Sequence, residues 1–207
     1  MTKKEAKLLQ QNEEFEKLGK REKRVVIAKD VIKHLNTEKL IAECGIYYDQ
    51  DVTAHVGDDL QKVIRQAEVG CTACAIGGTF FAAVYRSNDY KVDRHDLMFG
   101  QLHVSDKNMR AKLRKFFRPM QLAYIESAFE GHTFAPVKLQ RRMTSREKKT
   151  LDLAAMHFNN LAAKNGKEYY EYEDDSDFKL RSIMENIIEN NGTFKPCKEP
   201  KNVAELV

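Results

Sequence analysis

Cys71 and Cys74 form a C-x-x-C, the one spacing in this chain that could put two thiolates on a metal ion or close a redox pair. A structural zinc site needs four ligands in a tetrahedron, usually two such pairs or one pair with two histidines. The chain has no second pair, and Cys44, Cys197 and His55 could complete a site only through tertiary folding. A thioredoxin-like role would ask for a strand before the motif and a helix after it. Two small thiols one turn apart among Ala, Ile and Gly also pack well in a core. Core packing is the favoured reading, with Cys71 and Cys74 kept as weak metal candidates and no cofactor expected.

Asp93, Arg94, His95 and Asp96, with Asp89 and His103 nearby, offer groups for acid–base work near neutral pH. No nucleophile, metal motif or phosphate-cradling glycine loop accompanies them, so no catalytic residue is assigned. Ser145-Arg146-Glu147-Lys148 matches the S-x-x-K of serine acyl-transfer enzymes. It coincides with a capping box formed by Thr144 and Glu147, which explains it without chemistry.

Charge is more informative. The 207 residues carry 35 Lys plus Arg against 31 Asp plus Glu, a formal net of +4. That small total hides segregation. Ser105 to Arg118 holds Lys107, Arg110, Lys112, Arg114, Lys115 and Arg118 against Asp106 alone. Pro136 to Lys149 holds Lys138, Arg141, Arg142, Arg146, Lys148 and Lys149 against Glu147. Glu168 to Asp177 has six acids, three tyrosines and no base. The bland account of each block is a solvated helix face. The functional one is that Lys107, Arg110, Lys112, Arg114, Lys115, Arg118, Arg141 and Arg142 attract phosphate, with Phe116, Phe117, Tyr124 and Phe134 beside them to stack on bases. The acidic, tyrosine-rich segment could dock on that basic surface or mimic nucleic acid.

The elements that must position these groups follow from periodicity. An apolar share of 42% with 4 Pro and 10 Gly excludes disordered and fibrous chains. Residues 1–24 carry 13 charges and read as a charged helical arm. Helical spacing then runs from Val25 to Leu35, and Leu40 to Tyr48 alternates as a short strand or hairpin. Asp58 and Asp59 can cap a helix that Gly70 closes. Cys71 to Tyr85 is apolar all round and predicts a buried central helix, with a buried parallel strand as the competing assignment. Residues 86–105 read as an irregular excursion. Further helices are predicted behind Asp106, from Pro119 to the stop at Gly131, from Thr144 to Gly166, and from Ser176 to Gly192. The expected fold is mainly α: a single globular helical domain over 25–196, with at most a small β-hairpin, preceded by the arm and followed by a tail over 197–207. An α+β fold is the alternative.

Three segments together resemble a known family: C-T-A-C-A-I-G from Cys71 followed by Phe80-Phe81, Q-L-A-Y-I-E-S-A-F-E from Gln121, and R-S-I-M-E-N-I-I from Arg181 with N-G-T-F-K-P from Asn191. Their content and order are similar to a family of uncharacterised small proteins encoded by tailed bacteriophages. The resemblance covers roughly residues 25–196, and it implies a phage accessory protein working in the bacterial host cytoplasm without implying any chemistry. The charged N-terminus lacks the apolar stretch of a secretion signal, and no apolar window approaches the roughly 20 residues of a membrane span.

Three functions are therefore expected in order. The first is a non-catalytic accessory protein that binds a host protein or a small nucleotide ligand in counter-defence or host takeover, with homo-oligomer formation as an option. The second is a nucleic-acid-binding protein using Arg110, Lys112, Arg114, Lys115, Arg141 and Arg142. The third is a metal-dependent enzyme using Cys71, Cys74 and a histidine.

Overall fold

The computed structural model describes residues 3–67, 70–87, 89–99, 101–134, 142–168, 172 and 174–200. The fold is mainly α, with nine α-helices and four short strands among the described residues. The charged N-terminal segment forms α1 (Lys3–Lys17) and opens α2 (Lys20–Asn36). Its Phe15 is buried in the core, with its ring centroid 5.8 Å from that of Phe116. One face of α2 buries Ile27, Ala28, Val31 and Leu35.

β1 (Leu40–Ala42) pairs in parallel with β2 (Cys71–Ala73), Leu40 opposite Cys71. The hairpin expected around residues 40–48 is therefore replaced by a crossover, because parallel strands cannot be joined by a tight turn. The crossover carries α3 (Leu60–Gln66), capped by Asp59, whose side chain accepts from Gln61 N. An antiparallel hairpin, β3 (Leu97–Met98) with β4 (Gln101–Leu102), lies in the stretch expected to be irregular.

Both readings of the apolar Cys71–Tyr85 segment turn out to be partly right: β2 is a buried parallel strand, and α4 (Ala75–Arg86) follows as a helix buried from Ala75 to Val84. Gly77 makes this possible. A Cβ there would overlap the Tyr47 carbonyl oxygen and lie 2.8 Å from Ala73 Cβ, so only glycine lets the chain after β1 cross the start of α4.

α5 (Asp106–Leu113) is capped by Ser105, not Asp106, through a bond from Asn108 N. α6 (Pro119–Glu130) starts on its proline and stops at Gly131 in the left-handed conformation. The helix expected from Thr144 to Gly166 breaks at Met156 into α7 (Ser145–Ala155) and α8 (His157–Lys164). Beyond the break His157 and Phe158 are buried, and His157 Nδ1 accepts from Cys197 N at 2.8 Å, pinning the C-terminal segment. α9 (Ser176–Glu189) packs on α2, and α2 in turn on α4.

Candidate functional site

A groove of about 970 Å³ opens where three helices begin. The start of α2 supplies Lys20, Arg21 and Arg24, the α5–α6 connection supplies Arg114 and Arg118, and the first turn of α7 supplies Arg146 and Glu147. Pro119, Met120 and Gln121, the first turn of α6, line it as well. Six cations thus line the groove with one carboxylate; Arg114 caps the end of α5, and the other five stand near the starts of α2, α6 and α7, where helix dipole and side-chain charge both favour anions.

Two features hold these elements together. Gly192, in the turn after α9, presses against the backbone of α2's first turn: a Cβ would overlap the Arg21 carbonyl oxygen. The Arg24 guanidinium donates through Nε to Gly192 O and through a terminal nitrogen to Phe116 O at 2.9 Å, and it sits 5.9 Å from the Phe117 ring centroid. One arginine therefore ties α2, the turn after α9 and the α5–α6 connection into a single wall.

The electrostatics follow. Burial, then the charges of Arg21 and Arg118, push the Arg24 pKa below its ordinary value, as expected where cations crowd one another. Burial raises the Tyr124 hydroxyl, with Glu147 adding to it. Glu147 itself accepts from Thr144 N at 2.8 Å in the capping box of α7. Among the described residues, Lys20, Arg21, Arg24, Arg118 and Arg146 form no ion pair with a carboxylate.

The sequence-derived phosphate set divides sharply. Arg114 and Arg118 line the groove. Arg110 faces inward instead: one guanidinium nitrogen donates to both Glu126 oxygens at 2.6 and 2.7 Å, and Nε donates to Asp106 at 2.6 Å. Burial opposes that charge, but Glu126 and then Asp106 outweigh it and raise its pKa. Lys112 is buried against Asp89, whose second oxygen takes Lys115. Burial and the charge of Lys115 bring the Lys112 ammonium down to about 8. Lys107 is exposed on α5, away from the groove, and Arg142 is exposed ahead of α7. Arg141 and Lys138 lie outside the described residues. The basic block of α5 is thus largely spent on holding the fold, and the cations that replace it come from the N-terminal segment. Lys20, Arg21 and Arg24 were legible as a basic i, i+1, i+4 group, but were absorbed into a uniformly charged arm.

The remaining candidates have structural roles. Cys71 lies in β2 and Cys74 precedes α4, both buried, and burial pushes both thiols up to about 12. No group of three potential metal ligands occurs among the described residues. Asp96 is fully buried and accepts from Tyr90 Oη at 3.0 Å, Asp93 N at 3.0 Å and Asn108 Nδ2 at 2.7 Å, which makes it the anchor of its loop. In the acidic segment Tyr172 stacks on Phe178 with centroids 4.7 Å apart, while Tyr169 and Tyr170 lie outside the described residues. No described helix is long and apolar enough to cross a membrane.

No family model, curated protein or solved structure matches the chain.

Proposed function

We propose that this chain is a non-catalytic binding protein that holds a small phosphate-bearing ligand, a nucleotide, in the groove between the starts of α2, α6 and α7. The supporting observation is the set of five cations there that lack a carboxylate partner among the described residues. A folded protein rarely crowds cations without anions unless something else neutralises them. The volume is that of a small-molecule site, at the upper end of the roughly 300–1,000 Å³ such sites occupy. In the phage setting that the sequence resemblance implies, withholding or carrying a nucleotide in the host cytoplasm would serve counter-defence or host takeover.

An extended nucleic acid is the less favoured ligand, because the sequence-derived stripe on α5 loses Arg110 to a buried ion pair with Glu126 and Lys112, itself buried, to Asp89. The test is thermal unfolding with and without millimolar ATP, for the wild-type chain and for Arg118→Gln. ATP raises the wild-type midpoint by several degrees and the variant's by less. Equal midpoints with and without ATP contradict the proposal, and a salt-sensitive gel shift with an oligonucleotide but no response to ATP moves the function to nucleic acid.

A further inference from the structure

The groove has an excess of charge and a shortage of groups to read a base. A single phosphate monoester carries between about −1.5 and −2 at neutral pH. That cannot neutralise Lys20, Arg21, Arg24, Arg118 and Arg146, which form no ion pair with a carboxylate among the described residues. The cations also stand on separate elements, α2, the α5–α6 connection and α7, so no one phosphate gathers them all.

Of the four aromatic rings that the sequence offered for stacking, three line the groove but are buried, and Phe134 does not line it. Phe116, Phe117 and Tyr124 are 5%, 3% and 7% exposed, and Phe116 packs on Phe15. Two neutral polar groups of the lining are engaged within the fold: Gln121 Oε1 accepts from Phe194 N at 2.9 Å, and the Thr150 hydroxyl donates to Arg146 O at 2.8 Å. Base discrimination needs either a free ring face or free donors and acceptors at fixed positions.

Resting on the reading of the groove as a phosphate site, we infer that it recognises a chain of phosphates and is indifferent to the base: its ligand class is the polyphosphate moiety of a nucleotide. Linked phosphates bring three or four negative charges on one flexible spine, which can bridge from Arg21 and Arg24 to Arg118 and Arg146. Affinity then rises with phosphate number, and inorganic tripolyphosphate competes with any nucleoside triphosphate.

The experiment is isothermal titration of the full chain at low salt with phosphate, pyrophosphate, tripolyphosphate, AMP, ATP, GTP and CTP. The expected result is tripolyphosphate within about tenfold of ATP, the three nucleoside triphosphates within about tenfold of one another, and a stepwise gain from mono- to di- to triphosphate. Arg118→Gln and Arg146→Gln each weaken tripolyphosphate by about tenfold, whereas Lys107→Gln, outside the groove, leaves it unchanged. ATP binding with tripolyphosphate more than tenfold weaker, a base preference beyond tenfold, or no gain with phosphate number overturns the inference while leaving nucleotide binding standing. Failure of every phosphate compound to bind overturns both.

Discussion

Replacing Gly192 by alanine tests the packing that assembles the groove. Gly192 has φ of +79°, and an added Cβ would overlap the Arg21 carbonyl oxygen and lie 3.1 Å from its carbon and 3.2 Å from its Cα. These are backbone atoms in the first turn of α2, so no side-chain rotation relieves the clash. Gly166 provides the matched control, since its φ is +64° but a Cβ there meets nothing within 4 Å. Gly166→Ala therefore carries only the left-handed strain of an L-residue, about 1 kcal/mol. Gly192→Ala adds the displacement of α2, about 1–3 kcal/mol more by analogy with overpacked cores. At about 2–4 °C per kcal/mol for a chain of this size, Tm falls by about 3 °C in the control and about 10 °C in Gly192→Ala. Gly192 O is also the acceptor for Arg24, so the wall of the groove shifts with it. Calorimetric melting and ATP titration on both variants make the comparison. Gly192→Ala loses roughly tenfold in ATP affinity beyond its stability loss, and Gly166→Ala loses none. Equal losses of Tm in the two variants, or unchanged ATP affinity in Gly192→Ala, would refute the close approach as the feature that builds the site.

Acid stability depends on two buried histidines. Burial lowers His34 and His157 to about 4, so both are neutral in the fold and protonate near 6.5 when unfolded. Their contribution is complete above pH 6.5 and drains away as pH falls from 6.5 toward 4, by about 3 kcal/mol each. His157→Asn, which keeps an acceptor for Cys197 N, should remove about half of that pH slope in urea titrations, and an unchanged slope would exclude His157 as a source. Glu126→Gln leaves the Arg110 guanidinium buried without its main counter-charge and should cost about 3 kcal/mol, recovered in large part by Arg110→Met with Glu126→Leu. A single-variant loss under about 1 kcal/mol in urea unfolding would contradict the pairing. Exposed Cys44 should label with a thiol reagent at pH 8 in the native state, while Cys71 and Cys74 label only once the chain is unfolded. Native-state labelling of Cys71 or Cys74 at the rate of Cys44, read by mass spectrometry, would contradict their placement.

Much of the fold was legible because it is written locally. Pro119 and Gly131 bound α6 as their backbone preferences require, and the Thr144–Glu147 capping box marks the start of α7. The pairing of β1 with β2 was not legible, because register between strands separated by α3 is decided by what packs between them. The site was half legible. Charge counting found basic blocks but could not say which way each side chain points. Arg110 and Lys112 share the inward face of α5 with Met109 and Leu113, where Glu126 and Asp89 await them, and neither partner lies within a helical turn of the residue it meets. Lys20, Arg21 and Arg24 reach the groove through tertiary contacts of α2, among them the close approach of Gly192 and the bond from Arg24 to Phe116 O, which no local pattern encodes.

The central claim is that the cations at the starts of α2, α6 and α7 form one phosphate site. Isothermal titration of ATP into the wild-type chain and into the triple variant Arg21→Gln, Arg118→Gln, Arg146→Gln tests it most directly, with circular dichroism to confirm that the variant is folded. The account predicts saturable binding to the wild type and a loss of at least about a hundredfold in the folded variant. Binding of equal strength to both, or none to the wild type, would contradict it.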